Sequence, residues 1–179
     1  MNVIAACVTH RHGAVRVQML VLLVALSFSA NAADSTTQVQ LDATKAGPRA
    51  VEGLTERAVT RDYRNAWTNL AQALEFNSLD SIQGLFTGDA KRVLTATIAS
   101  QQKSGLRQRY ADQIHKLEAV FYAPEGDVIV LHDTAEYQQQ LLDGGKLIQD
   151  DRVAIHYVVL MTPSADGWVV RYFQAVPHF

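Results

Sequence analysis

From Ile114 to Val176 the chain alternates apolar and polar residues in four runs: IHKLEAVFYA, DVIVLHDTAEYQQQLLD, KLIQDDRVAIHYVVLM and WVVRYFQAV. β-Branched and aromatic residues dominate these runs, and a period of two marks strands with one face on a core. PEGD, DGGK and PSADG separate them, and such turns are short enough to join sequence neighbours as hairpins. The pattern predicts a four-stranded antiparallel meander. Upstream the period changes. Tyr63, Trp67, Leu70 and Leu74 recur at i, i+4, i+7 and i+11, one apolar stripe on a helix, while Asp62, Arg64, Asn65 and Asn69 lie off it. A short helical turn follows near Ser81–Phe86 and Gly88 breaks it. A second helix then starts at Asp89, whose carboxylate can cap the first turn. Leu94 and Ile98 supply its buried face and Gly105 is a natural stop. Helices first and strands after make the class α+β.

The N-terminus carries a different signal. MNVIAACVTHRHGAVR is basic and free of acids, VQMLVLLVALSF is apolar, and Ala30-Asn31-Ala32 follows. Basic region, apolar core and small-residue cleavage site stand in the order of a secretory signal peptide, residues 1–32. Twelve mostly apolar residues span about 18 Å as a helix, short of a hydrocarbon core of about 30 Å, so no stable membrane anchor is expected. Localisation is therefore expected to be exported, periplasmic or secreted. Residues 33–59 read as a flexible lead-in, polar and aperiodic, with Pro48 a candidate to open a short helix. The folded domain is expected over residues 60–179.

Cleavage would change the composition. Of the 16 basic residues, Arg11 and Arg16 fall in the first 32, and none of the 18 acids does, so the remaining 14 against 18 leave a net charge of −4. A mildly acidic chain of mixed signs lacks the basic face a nucleic-acid partner needs. The sole cysteine, Cys7, leaves with the signal, which excludes a disulfide, a thiolate metal site and a cysteine nucleophile. No glycine-rich phosphate loop, His-x-x-x-His pair or G-x-S-x-G elbow is present, so nothing calls for a cofactor or a metal.

The helical opening YRNAWTNLAQALEFNSLDSIQGLFTGDA and the terminal hairpin HYVVLMTPSADGWVVRYFQAV resemble the nuclear transport factor 2-like superfamily, also called SnoaL-like or ketosteroid-isomerase-like, over roughly Thr60 to Val176. The resemblance implies a cone-shaped, cystatin-like fold, with the helices packed in the concave face of a curved four-stranded sheet. On function it is nearly silent. Family members include isomerases, dehydratases, transport factors and assembly scaffolds.

Hairpin register places the polar residues. A turn at Glu125–Gly126 sets Phe121 opposite Val130, Ala119 opposite His132 and His115 opposite Glu136. A turn at Gly144–Gly145 sets His132 opposite Tyr157 and Thr134 opposite Ile155. Unbroken alternation then sends His132 and Tyr157 into the cone, facing Tyr63 and Trp67. Apolar walls with a few convergent polar groups describe a pocket for a small apolar ligand, and Tyr63, Trp67, His132 and Tyr157 are its expected lining. His132 with Tyr157 is the best candidate for acid–base catalysis. The competing account is a core histidine satisfied by a tyrosine hydroxyl or a backbone carbonyl. Glu136 and His115 are expected at the open rim. Asp133, His156 and Glu118 are expected together on the convex face, as a surface group rather than a metal site. Val120, Leu131, Val158 and Leu160 form an apolar strip on that face, suited to a homodimer.

Three functions follow from this reading. The favoured one is an exported, non-catalytic binding or interaction domain with an apolar pocket or a sheet-mediated dimer face. The first alternative is a small isomerase, dehydratase or hydrolase. The second is a scaffold in an envelope assembly.

Overall fold

The computed structural model describes residues 36–179. The expected signal peptide and its expected cleavage site at Ala32 lie outside the described residues. The order of elements is strand β1 (Thr37–Asp42), helix α1 (Gly53–Phe76), a 3₁₀ turn (Asp80–Ile82), helix α2 (Gly88–Ser104), then strands β2 (Leu106–Tyr122), β3 (Ile129–Asp143), β4 (Lys146–Ser164) and β5 (Gly167–Val176). The class is α+β, but the sheet has five strands rather than four, in the order β1-β2-β3-β4-β5. The predicted meander is β2 to β5, antiparallel throughout, whereas β1 pairs with β2 in parallel and makes the sheet mixed.

The added strand lies in the stretch expected to be a flexible lead-in. TQVQLD offers only Val39 and Leu41 as an apolar face, too short a pattern to stand out, yet Val39 is buried and parallel pairing with β2 satisfies one edge of the backbone. Pro48 opens no helix. It bridges to Tyr122, and α1 begins at Gly53, seven residues ahead of the expected domain boundary at residue 60.

The helices follow their apolar stripes. Tyr63, Trp67, Leu70 and Leu74 are all buried, and α1 ends at Asn77, a left-handed residue (φ 52°) whose N–H returns to the Ala73 carbonyl. Gly105 stops α2 as predicted, with φ 74°. Asp89 is not its cap. Thr87 holds that position, and Asp89 pairs with Arg92 at 2.6 Å.

Four bulges interrupt the sheet register, two of them close to the hairpin turns that flank β3. Near the first turn Phe121 faces Val130 as expected, but Ala119 faces Leu131, so Val120 is an extra residue. In the second hairpin Leu142 faces Leu147 and Leu141 faces Gln149, so Ile148 is extra. Each bulge shifts the pairing by one residue and exchanges faces beyond it. Consequently Glu118 lies opposite His132, His115 opposite Ala135, Asp133 opposite Tyr157 and Thr134 opposite His156. Packing explains the choice. Without the bulges β3 would bury His132, Thr134 and Glu136 and expose Leu131 and Tyr137, each worth about 1.5–3 kcal/mol when buried. With them Ile129, Leu131, Ala135 and Tyr137 all enter the core beside Leu117, Ala119, Tyr157, Val159 and Met161.

Candidate functional site

The polar residue that β3 carries inward is Asp133. Its side chain is fully buried, and two donors converge on one oxygen: the Tyr63 hydroxyl donates to Oδ2 at 2.7 Å, and His115 Nδ1 lies 2.8 Å from the same atom. The three groups come from three elements. Tyr63 stands on the stripe of α1, His115 on the inward face of β2, and Asp133 on β3, two residue pairs along the ladder from His115. One turn after Tyr63, Trp67 lays its indole over the imidazole, ring centroids 4.3 Å apart at 40°, while the Tyr63 ring meets that imidazole edge-on at 5.8 Å and 84°. The tryptophan also contacts Tyr110, Tyr137, Tyr157 and Phe173, and the hydroxyls of Tyr137 and Tyr157 are hydrogen-bonded at 2.9 Å.

This interior is tightly closed. His115 and Asp133 have 0% exposure and Tyr157 only 7%, so no water-sized void touches the His–Asp pair. Burial pushes the Tyr63 phenol well above its ordinary range, and the neighbouring Asp133 charge pushes it further the same way. Burial likewise raises Tyr110, Tyr137 and Tyr157. Several polar atoms have no partner among the described residues: Asp133 Oδ1, His115 Nε2 and both amide atoms of the fully buried Gln113. An unpaired buried group costs about 1–3 kcal/mol, so this cluster is an expensive feature of the core. Chemically, a histidine held by a carboxylate beside a tyrosine hydroxyl is an acid–base arrangement, here sealed under aromatic rings.

Of the residues predicted from the sequence, Tyr63, Trp67 and Tyr157 come together in the interior, and His132 does not join them. It lies on the outer face, where the Phe179 ring stacks on it at 4.1 Å and 3°. The bulge at Val120 is the reason, since it turns the odd-numbered residues of β3 inward. The expected outer group of Glu118, Asp133 and His156 is likewise broken up. Glu118 pairs with Lys45 at 2.7 Å, and His156 Nδ1 lies 3.3 Å from the Thr134 hydroxyl. His115 is buried rather than at the rim, whereas Glu136 is half-buried and faces Arg152 at 3.7 Å. Gln113, Tyr110 and Tyr137 were not anticipated. A signal for Asp133 was present in β3 itself: residues 129, 131, 135 and 137 are apolar, while the alternate set carries His132, Thr134 and Glu136.

No protein family matches the chain by sequence, and neither does any curated protein. Similarity appears among solved structures. The intermembrane space region of the chloroplast protein ARC6 superposes with a TM-score of 0.54 at 13% identity, covering 67% of this chain and 95% of that one. ActVI-ORFA from Streptomyces coelicolor gives a TM-score of 0.46 at 13% identity, covering 69% of this chain and 98% of its own. Two helices over one face of a sheet whose last four strands form a meander, together with the ARC6 superposition, give one result: the chain has the nuclear transport factor 2-like fold.

Proposed function

We propose that this chain is an exported, non-catalytic interaction domain that works through the outer face of its sheet. The filled cone carries the reading: Tyr63, Trp67, His115, Asp133 and Tyr157 occupy the space where a ligand would sit, and none is more than 7% exposed. The outer face offers what the interior does not. Phe121, Val130, Leu160 and Tyr172 are paired in succession across β2, β3, β4 and β5, and Phe121 is 39% exposed. Val120 and Val158 are half-buried beside them. Leu131, expected in this strip, is buried in the core and Val130 takes its place. A contiguous apolar row on an antiparallel sheet suits pairing with a second copy.

A second reading, a small pocket enzyme, draws on the unpartnered atoms of Gln113, His115 and Asp133. In it His115 replaces His132 as the acid–base group and Asp133 positions its ring. Native mass spectrometry of the protein purified from the exporting cell tests both readings together. The interaction domain is expected as a ligand-free dimer of chains starting at Ala33, and Leu160→Asp should convert it to monomer. A monomer carrying a retained small molecule would replace this reading with the enzyme, and a full-length chain found only in membranes would remove export.

A further inference from the structure

The edge strand β1 has a second partner surface beside it. Among the described residues its outer edge pairs with nothing, since β1 is terminal in the sheet and bonds only to β2. Its register is continuous from Thr37 opposite Gln113 to Asp42 opposite Glu118, with no bulge and no proline. Its exposed side chains before Asp42 are Gln38 and Gln40, both uncharged. Free edges are usually guarded by charge, proline or bulges. Two other open stretches remain: the far edge of terminal strand β5, partly covered where Val170 bonds Leu85 and Thr87, and β4 before its pairing with β5 begins at His156, which is bulged at Ile148 and carries Lys146, Asp150, Asp151 and Arg152. Before Asp42 the edge of β1 has neither device.

Alongside it runs a groove of about 500 Å³ between β1 and α1, with Val39 and Leu41 on one side and Arg57, Arg61 and Arg64 on the other. Arg61 is held by Asp62 at 2.7 Å. Arg57 and Arg64 make no ion pair and no side-chain hydrogen bond among the described residues, and Glu56 is the one acid in the groove lining. Helical rise sets the three arginines about 6 Å and about 4.5 Å apart along α1. Side chains on one face of a strand recur every 6.6–6.8 Å or so, within reach of flexible guanidinium stems at that spacing.

We infer that β1 and the arginine row of α1 form a β-augmentation site for an extended segment of another protein with acidic residues at alternate positions. Such a segment would add as a sixth strand. Its backbone would pair with the free edge, and its inward carboxylates would meet Arg57 and Arg64. This goes beyond the proposed outer-face interaction and uses none of its residues. A second copy is not the occupant. Pairing two β1 edges would set the arginine rows of both copies against each other, the open stretch of β4 is the guarded one, and terminal strand β5 carries no acid to meet Arg57 and Arg64.

The test uses the mature chain and a fluorescent, end-blocked peptide of alternating glutamate and valine, followed by anisotropy and by backbone amide shifts. Saturable binding is expected, with shifts centred on residues 37–42. The lysine–valine peptide should bind about tenfold more weakly or worse, and Arg57→Glu with Arg64→Glu should weaken the acidic peptide by a similar factor. N-methylation along one edge of the peptide should abolish binding, and Leu160→Asp should leave it unchanged. Equal binding of the methylated peptide would reduce the effect to charge attraction and overturn the site. Failure to bind, shifts elsewhere, or self-association that the arginine substitutions abolish would overturn it as well.

Discussion

Asp133 and His132 are neighbours in sequence with opposite surroundings, and this contrast is open to measurement. Removing the carboxylate at 133 leaves the Tyr63 hydroxyl and the His115 ring without their shared acceptor, in a fully buried site. Breaking a buried, hydrogen-bonded pair on one side costs about 3–5 kcal/mol. His132 is half-buried on the outer face and loses only its stack with Phe179. Surface changes of that kind usually stay near 0.5 kcal/mol. Urea titrations should therefore show Asp133→Ala strongly destabilised and His132→Ala close to wild type, and the opposite order would mean the side chains are exchanged. The sequence announced that a histidine and an acid here would part to opposite faces, and it named Tyr63, Trp67 and Tyr157 as interior. Which of the two turned inward depended on one extra residue, Val120, and nothing in its own chemistry marks it as a bulge.

At the scale of the elements, the readable features were those written in residue type. Gly105 ends α2, the apolar stripe of α1 is buried as a unit, and the three turns join the four predicted strands. Bulges and β1 were hidden for a different reason. A bulge is fixed by the total packing of the strands on either side of it, and a six-residue strand with two apolar positions has little pattern of its own. The alternation inside β3 favours the observed face, whereas the hairpin turns without a bulge favour the other. Adjacent substitutions read the register directly. Ala135 is fully buried on β3, so Ala135→Asp places an unpaired charge in the core and should abolish the cooperative unfolding transition. Thr134 faces outward, its hydroxyl near His156, so Thr134→Asp gives up one 3.3 Å contact and sets an acid beside a histidine and, across the pair, Lys116. Its stability should stay within about 1 kcal/mol of wild type. Equal tolerance of both changes would show that this strand is not held in one register.

For the molecule as a whole, the interior is a sealed aromatic core. Four tyrosines, at 63, 110, 137 and 157, share that core with Trp67, and burial raises the pKa of each. The consequence for stability has a definite sign. In the unfolded chain these phenols ionise near pH 10, whereas in the folded chain they keep their protons to higher pH. Above pH 10 the native state thus binds more protons than the unfolded one, and stability falls as pH rises, by about 1.4 kcal/mol per pH unit for each phenol held neutral. Below that pH the contribution is fully present. With a total stability of roughly 5–15 kcal/mol, four such groups are enough to unfold the domain within a few pH units. Alkaline titration should therefore show the four phenolate absorbances emerging in one cooperative step with the loss of helical circular dichroism. A cone that opens to admit solvent or ligand would titrate otherwise, releasing the protons of Tyr137 and Tyr157 gradually while the helices stay folded. That outcome would move the functional reading from the outer sheet face back to the interior, with His115 and Asp133 as its acid–base pair.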